Sequence, residues 1–280
     1  MLKSSSEKVF CIGNGESRKH FNLELLKPLG KIYGCNALYR NFKPDVLIAV
    51  DPGIKHEIYD SGYAYNNECW FRGWRKRHAN EYDELYYGKI TEEEKKEVEK
   101  YYTHRTENER KDSLYFTVSG TNYQSKLFII KRYKDKNALH APQFDLEMNK
   151  FGLHISWLHN DKAKDIIEIM PNRKDLGMSA GPTSGYIALI QNSPKECYML
   201  GHDLGSPTNF TNNLYKDTKH YAKGDDVATK GLKWRNGWKQ LFKMFPKTTF
   251  IQVNKTKEVI SQWKEIKNIV YETYESFLHR

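Results

Sequence analysis

The chain has 280 residues, and 45 lysines and arginines against 35 acidic residues give it a formal net charge of +10. It is long enough to bury a sizeable core, as one large domain or as a domain with an insertion. The positive balance suits an anionic partner such as a nucleotide, a nucleic acid or an acidic surface, although a lysine-rich composition also serves solubility.

No window reaches the apolar length of a membrane span, and residues 1–8 are polar, without the apolar stretch of a secretory leader. The cysteines Cys11, Cys35, Cys69 and Cys197 lie at no zinc-ligand spacing and suggest no disulfide framework. Cys11, Cys35 and Cys197, in or beside apolar strand patterns, read as small buried hydrophobes, and the expected location is a reducing one, the cytoplasm.

In chain order, residues 9–12 read as an apolar strand that runs into Gly13-Asn14-Gly15-Glu16-Ser17. Residues 22–29 read as a short helix ended by Gly30, residues 31–35 as a second strand and 46–50 as a third. Strands alternating with helices imply an α/β fold with a mostly parallel sheet. From about residue 59 to 165 the chain turns rich in Tyr, Trp, Lys and Glu. Helices are predicted there over 90–105, opened by a Thr91/Glu94 capping box, and over 124–133. This stretch reads as a helical, aromatic and basic insertion or lid. Strands return at 166–170, 197–200 and 249–253. Between them lie the polar turn Gly181-Pro182-Thr183-Ser184-Gly185, which opens a helix, and a second helix over 231–245. On that second helix Trp234, Trp238, Leu241 and Phe245 share one face, with Arg235, Lys239 and Lys243 opposite. The apolar spacing of Ile260, Trp263, Ile266, Ile269, Val270 and Tyr274 predicts a docked amphipathic helix over 259–278.

The first turn lacks the third glycine of the dinucleotide fingerprint and the Gly-Lys-Ser/Thr of a Walker loop. What remains is two permissive backbone positions and an asparagine at a strand's carboxyl end, where open α/β sheets bind ligands. Asn36 follows the second strand and Asp51 the third. Asn14, Asn36 and Asp51 are thus expected along one sheet edge, where groups that donate and accept suit a ribose, a base edge or a sugar. Asp225-Asp226 sits in a polar loop and reads as a solvated turn rather than a metal motif.

The order of these motifs resembles the bacterial sialyltransferases of glycosyltransferase family 42 and related Rossmann-like phage and bacterial proteins. It comprises Gly13-Asn14-Gly15, Cys35-Asn36, Thr183-Ser184-Gly185-Tyr186, Leu200-Gly201-His202-Asp203 and then Lys219-His220-Tyr221. The resemblance covers about residues 7–54 and 178–254. It implies a Rossmann-like, GT-A-like variant over residues 1–58 and 166–280, with 59–165 inserted for the acceptor or as a lid. It also implies metal-independent transfer, with inversion, from a CMP-linked sugar, and the chain's departures from the family leave a UDP-linked sugar equally open. Gly13, Asn14, Gly15, Ser17, Asn36 and Asp51 would hold the nucleotide, and Thr183, Ser184 and Gly185 would contact the donor. His220 would be the general base, with Tyr215 and Tyr221 beside it. His202 is the second choice of base. A histidine suits that work because its ordinary pKa lies near neutrality.

The chain departs from the family where an arginine is replaced by Ala180-Gly181-Pro182, and where the tyrosine pair after the Gly-x-Asp strand is missing. The expected acceptor is a glycan or a hydroxymethylated DNA base, bound with help from Trp70, Trp74, Arg75, Lys76 and Arg77. A homo-oligomer is compatible with this reading. The alternative is a non-catalytic nucleotide- or nucleic-acid-binding module on the same fold.

Overall fold

The computed structural model describes residues 7–72, 75–79, 113–119, 154–159 and 176–279. The chain divides into two compact units. The first comprises Met1–Ala49, Asn67–Trp70 and Arg173–Arg280, and the second Val50–Asn66 and Phe71–Asn172.

Seven strands build the first sheet: β1 (Lys8–Ile12), β2 (Lys31–Cys35), β3 (Val46–Ala49), β4 (Glu68–Phe71), then β8 (Glu196–Leu200), β9 (Thr249–Asn254) and β10 (Ile269–Thr273). The sheet is all-parallel and runs in the order β10-β9-β8-β1-β2-β3-β4. Its central strands are near-continuous apolar runs because a parallel sheet is covered on both faces. The chain winds outward from β1 on one side and returns to β8 on the other. The order therefore reverses between β1 and β8, and ligands of such sheets sit beyond the strand ends at that reversal.

Two thirteen-residue helices belong to this unit, α3 (Ala180–Asn192) and α4 (Leu232–Met244). Helix α3 packs on β1, β2, β3 and α4. A methyl group on Gly185 would come within 2.6 Å of the Trp238 ring, so the glycine lets the helices close. Trp238, Phe242, Phe250 and Trp263 form an aromatic cluster on that side, with Phe242 4.7 Å from Phe250 and 4.8 Å from Trp263 between ring centres. The opposite face carries Phe10 and Tyr198, stacked at 4.9 Å, with Phe277 5.9 Å from Tyr198. Parallel pairing of Phe10 with Tyr198, and of Val9 with Cys197, sends alternate residues to the two faces.

The second unit holds helices α1 (Pro52–Asp60) and α2 (Tyr63–Asn66). It also holds the antiparallel sheet β5 (Arg75–His78), β6 (Ser113–Ser119) and β7 (His154–His159). The insertion, expected to be helical, thus also includes a sheet. The helices predicted over 90–105 and 124–133, and the strand over 166–170, lie outside the described residues.

The C-terminal helix is a second correction. Residues 259–278 form a 3-10 turn at Ser261–Trp263, the edge strand β10 and a 3-10 turn at Phe277–His279. Asn268 ties this segment to the end of α4 and the turn before β9: its side-chain amide donates to the carbonyls of Phe242, Phe245 and Thr248, at 3.1, 3.3 and 3.1 Å. The β-branched pair Ile269-Val270 then enters the sheet, paired with Phe250 and Ile251. The apolar residues read as one helix face serve separate elements. Over 22–29 the backbone forms a 3-10 turn at Leu23–Leu26, capped by the Asn22 carboxamide, which accepts from Glu24 N at 3.1 Å.

Candidate functional site

The loops after β1 and β8 are joined at the reversal. Gly13 N donates to Leu200 O and Gly15 N to Gly201 O, each at 2.8 Å. The two glycines are required by this closeness. A methyl on Gly13 would lie 2.4 Å from Gly201 O, and one on Gly15 2.4 Å from the Asp203 carboxyl. Asp203 organises the junction, its Oδ2 accepting from Ser17 N and Asn212 Nδ2, both at 3.0 Å. Asn212 Oδ1 accepts from Glu16 N at 3.2 Å. The Ser17 hydroxyl lies 3.1 Å from the Tyr274 hydroxyl, which also accepts from Gly201 N at 3.1 Å. Burial pushes the Tyr274 phenol up to about 12. The Ser17 backbone amide and hydroxyl thus both hold the junction together.

Beyond β1 and β2 lie the two asparagines. Asn14 Nδ2 donates to Cys35 O and to the Tyr221 hydroxyl, each at 3.4 Å. Its Oδ1 is buried and makes no hydrogen bond, and the same holds for Asn36 Oδ1. Asn36 adopts a left-handed backbone, φ 52°, tolerable for asparagine. The Tyr221 hydroxyl also accepts from Ala37 N at 3.1 Å, so one phenol touches the ends of both strands.

The segment carrying Tyr215, His220 and Tyr221 is held against the turn after β2. Arg40 donates through Nη1 to Thr218 Oγ1 at 2.8 Å and through Nη2 to Lys219 O at 3.1 Å. Its guanidinium lies 5.9 and 5.7 Å from the Tyr215 and Tyr221 rings. Tyr215 is buried and donates its hydroxyl to Asn41 Oδ1 at 2.7 Å. His220 is exposed, with φ 68°. Its two neighbours are fixed by the Lys219 carbonyl and the Tyr221 hydroxyl, and such anchoring maintains a strained backbone. Among the described residues, four of the five non-glycine residues with positive φ, Asn36, Leu204, Asp217 and His220, lie in loops after β2 and β8.

The remaining predicted residues fall elsewhere. Asp51 precedes α1 and belongs to the second unit. Thr183, Ser184 and Gly185 lie within the first turns of α3. Thr183 Oγ1 donates to Met178 O at 3.2 Å, and the wholly buried Ser184 donates to Gly181 O at 2.6 Å. His202, the second choice of base, is buried, and burial lowers its pKa to about 3. The Cys11 backbone opposes that shift only in part, and the Arg18 charge adds to it. An imidazole that weak and that enclosed is unsuited to take a proton from an acceptor. Trp70 is buried and donates to Glu68 Oε1 at 2.8 Å, and Trp74 lies outside the described residues. On α4, Arg235 is no solvated cation: its Nη1 donates to Leu204 O at 2.6 Å and its Nε to Gln262 Oε1 at 2.8 Å. Phe242, not Phe245, completes the buried face.

Sequence reasoning missed Arg18, Arg40 and Asn212, three ordinary polar residues in loops with no motif around them. Among the described residues there is no group of three His, Cys, Asp or Glu side chains able to hold a metal ion. No described helix is long and apolar enough to cross a membrane. Comparison with family models, curated proteins and solved structures found no match.

Proposed function

We propose that this chain is an inverting glycosyltransferase. It holds a CMP- or UDP-linked sugar over the carboxyl ends of β1 and β2 and moves the sugar to an acceptor hydroxyl, on a glycan or a hydroxymethylated DNA base. The observation that carries the reading is the pair of buried, unbonded carboxamide oxygens, Asn14 Oδ1 and Asn36 Oδ1, beside the reversal of strand order. Buried polar atoms in native proteins find partners, and two acceptors at this edge match the hydroxyl and amino donors of a nucleoside. The concentration of left-handed backbone in the loops after β2 and β8 supports the same location.

In this scheme His220 takes the acceptor's proton as the acceptor oxygen bonds to the anomeric carbon. The bond from that carbon to the nucleotide phosphate breaks on the opposite side, and the nucleotide departs as an anion. Exposure of His220 gives an acceptor access to it, and the anchored residues on either side fix its approach. General-base assistance of this kind contributes about 10²–10⁴-fold.

The test is calorimetry against CMP-, UDP- and GDP-sugars, followed by a transfer assay. Binding of one nucleotide class is expected, with turnover lowered at least a hundredfold in His220→Ala and nucleotide affinity within a few-fold of wild type. Turnover near wild type in that variant would remove His220 from its role. Binding without transfer by the wild-type chain would favour the non-catalytic module.

A further inference from the structure

Arg18 is a charged group in the β1 turn that the scheme above leaves without a task, and unlike Glu16, which pairs with Lys216, it has no ion-pair partner among the described residues. It is 5% exposed, in the 3-10 turn Glu16–Arg18 immediately after the Gly13–Gly15 loop. Its Nε donates to the Gly13 carbonyl at 2.6 Å. Its stem fills the space beside Gly201, where a methyl group would lie 2.8 Å from Arg18 Cδ. The side chain thus bridges the two loops that meet at the reversal of strand order, its stem beside Gly201 and its Nε on Gly13. Yet Nη2 is buried without a hydrogen-bond partner, and the side chain makes no ion pair with any carboxylate among the described residues.

A buried guanidinium with an unbonded nitrogen, outside ion-pair distance of any described carboxylate, is an expensive arrangement. Its field is felt by its neighbours. The Arg18 charge adds to the depression of the His202 imidazole, and it opposes the upward push that burial gives the Tyr215 and Tyr274 phenols, at Tyr215 through a side-chain hydrogen bond as well. Three groups around the reversal therefore sense the Arg18 charge, and Tyr274 also senses the Asp203 carboxylate, whose Oδ1 is buried without a hydrogen bond at the same junction. In low-dielectric surroundings such a charge acts with little screening.

We infer that Arg18 supplies the fixed positive charge against which an anionic group of the ligand, a phosphate, is held at the junction of the β1 and β8 loops. The inference rests on the nucleotide reading above and deepens it. The nucleoside is recognised by the asparagine edge, and its phosphate is recognised by charge from beneath the Gly13 turn. A leaving nucleotide gains negative charge as its bond to the sugar breaks, and a preorganised cation there favours departure as well as binding. The family's tyrosine pair, absent from this chain, is then replaced by a different chemical device.

The experiment compares cytidine with CMP and uridine with UMP by calorimetry, in wild type, Arg18→Gln and Arg18→Lys. In wild type the phosphate is expected to raise affinity at least tenfold over the matching nucleoside. In Arg18→Gln that increment shrinks below threefold while the nucleoside itself binds as before, and Arg18→Lys keeps an intermediate increment. An unchanged increment in Arg18→Gln overturns the inference. So does parallel loss of nucleoside and nucleotide binding, which marks a purely structural strut. Should Arg18→Gln fail to fold, Arg18→Met, which keeps the stem and removes the charge, carries the comparison, and a wild-type increment there overturns it.

Inorganic phosphate separates the two failures. If no nucleoside or nucleotide binds wild type, the nucleotide reading falls. The anion site then stands only if phosphate raises the melting temperature of wild type and not of Arg18→Gln, and an equal or absent effect removes it too.

Discussion

Gly13→Ala tests the junction of the two loops most directly. A methyl group there would stand 2.4 Å from Gly201 O and 2.9 Å from His202 Nδ1, whereas ordinary contact begins at 3.4 Å. The obstacle is main chain, so the Gly201 carbonyl must retreat by 3.4 − 2.4, roughly 1 Å. That carbonyl accepts from Gly15 N at 2.8 Å, and the retreat breaks the bond. Overpacking costs about 1–3 kcal/mol. Losing a backbone hydrogen bond adds about 0.5–1.5 kcal/mol. The total of about 2–4 kcal/mol corresponds to a fall of roughly 10 °C in melting temperature for a unit of this size. Gly205→Ala is the control: its nearest neighbour would be Arg235 Nη1 at 3.7 Å and its φ is unremarkable. Removing a glycine from such a site stabilises by about 0.4–1 kcal/mol or is neutral. Thermal melts followed by circular dichroism read both variants. If Gly13→Ala melts within about 2 °C of Gly205→Ala, the loops are not held as tightly as this geometry requires.

Tyr221→Phe deletes the acceptor shared by Ala37 N and Asn14 Nδ2. Two donors left without it should weaken nucleotide binding by about 1–2 kcal/mol, or 5- to 30-fold, by calorimetry. Unchanged affinity would mean that this phenol does not orient Asn14. His202 predicts a pH dependence: its folded pKa, about 3, lies below the ordinary 6.5, so the unfolded chain binds the proton more readily. Stability is therefore full above pH 6.5 and declines as pH falls towards 3, by an amount on the order of 5 kcal/mol. In urea titrations between pH 7 and 4, His202→Gln should lose less stability than wild type. Equal slopes would mean that His202 is protonated in the folded protein.

Much of the sheet was legible in the sequence because its strands are apolar on both faces. The runs ending at Ile12, Cys35 and Leu200 are near-continuous and bounded by Gly or Asn, and each became a strand. The failure at 259–278 has a physical cause. Helical spacing records which residues are buried, and Trp263 and Ile269 meet different parts of the fold. No local pattern announces that Asn268 will cap three carbonyls from elsewhere in the chain. The same limit applied to the site. Asn14 and Asn36 could be singled out because each follows a strand. Arg18 and Arg40 could not, because their significance lies in what they fail to pair with or reach across to hold.

The sequence by itself determined an α/β fold with a parallel sheet, and the strand ends at which polar residues would gather. Those properties depend on hydrophobic period and on turn residues, which are local. The tertiary structure alone decided that β8 returns to lie beside β1, and so brings Gly13 against Gly201 and Arg18 beneath both. It also decided that Tyr221 reaches the ends of two strands more than 180 residues away in the chain. Close approach and burial of charge are properties of pairs distant in sequence, and only packing fixes them.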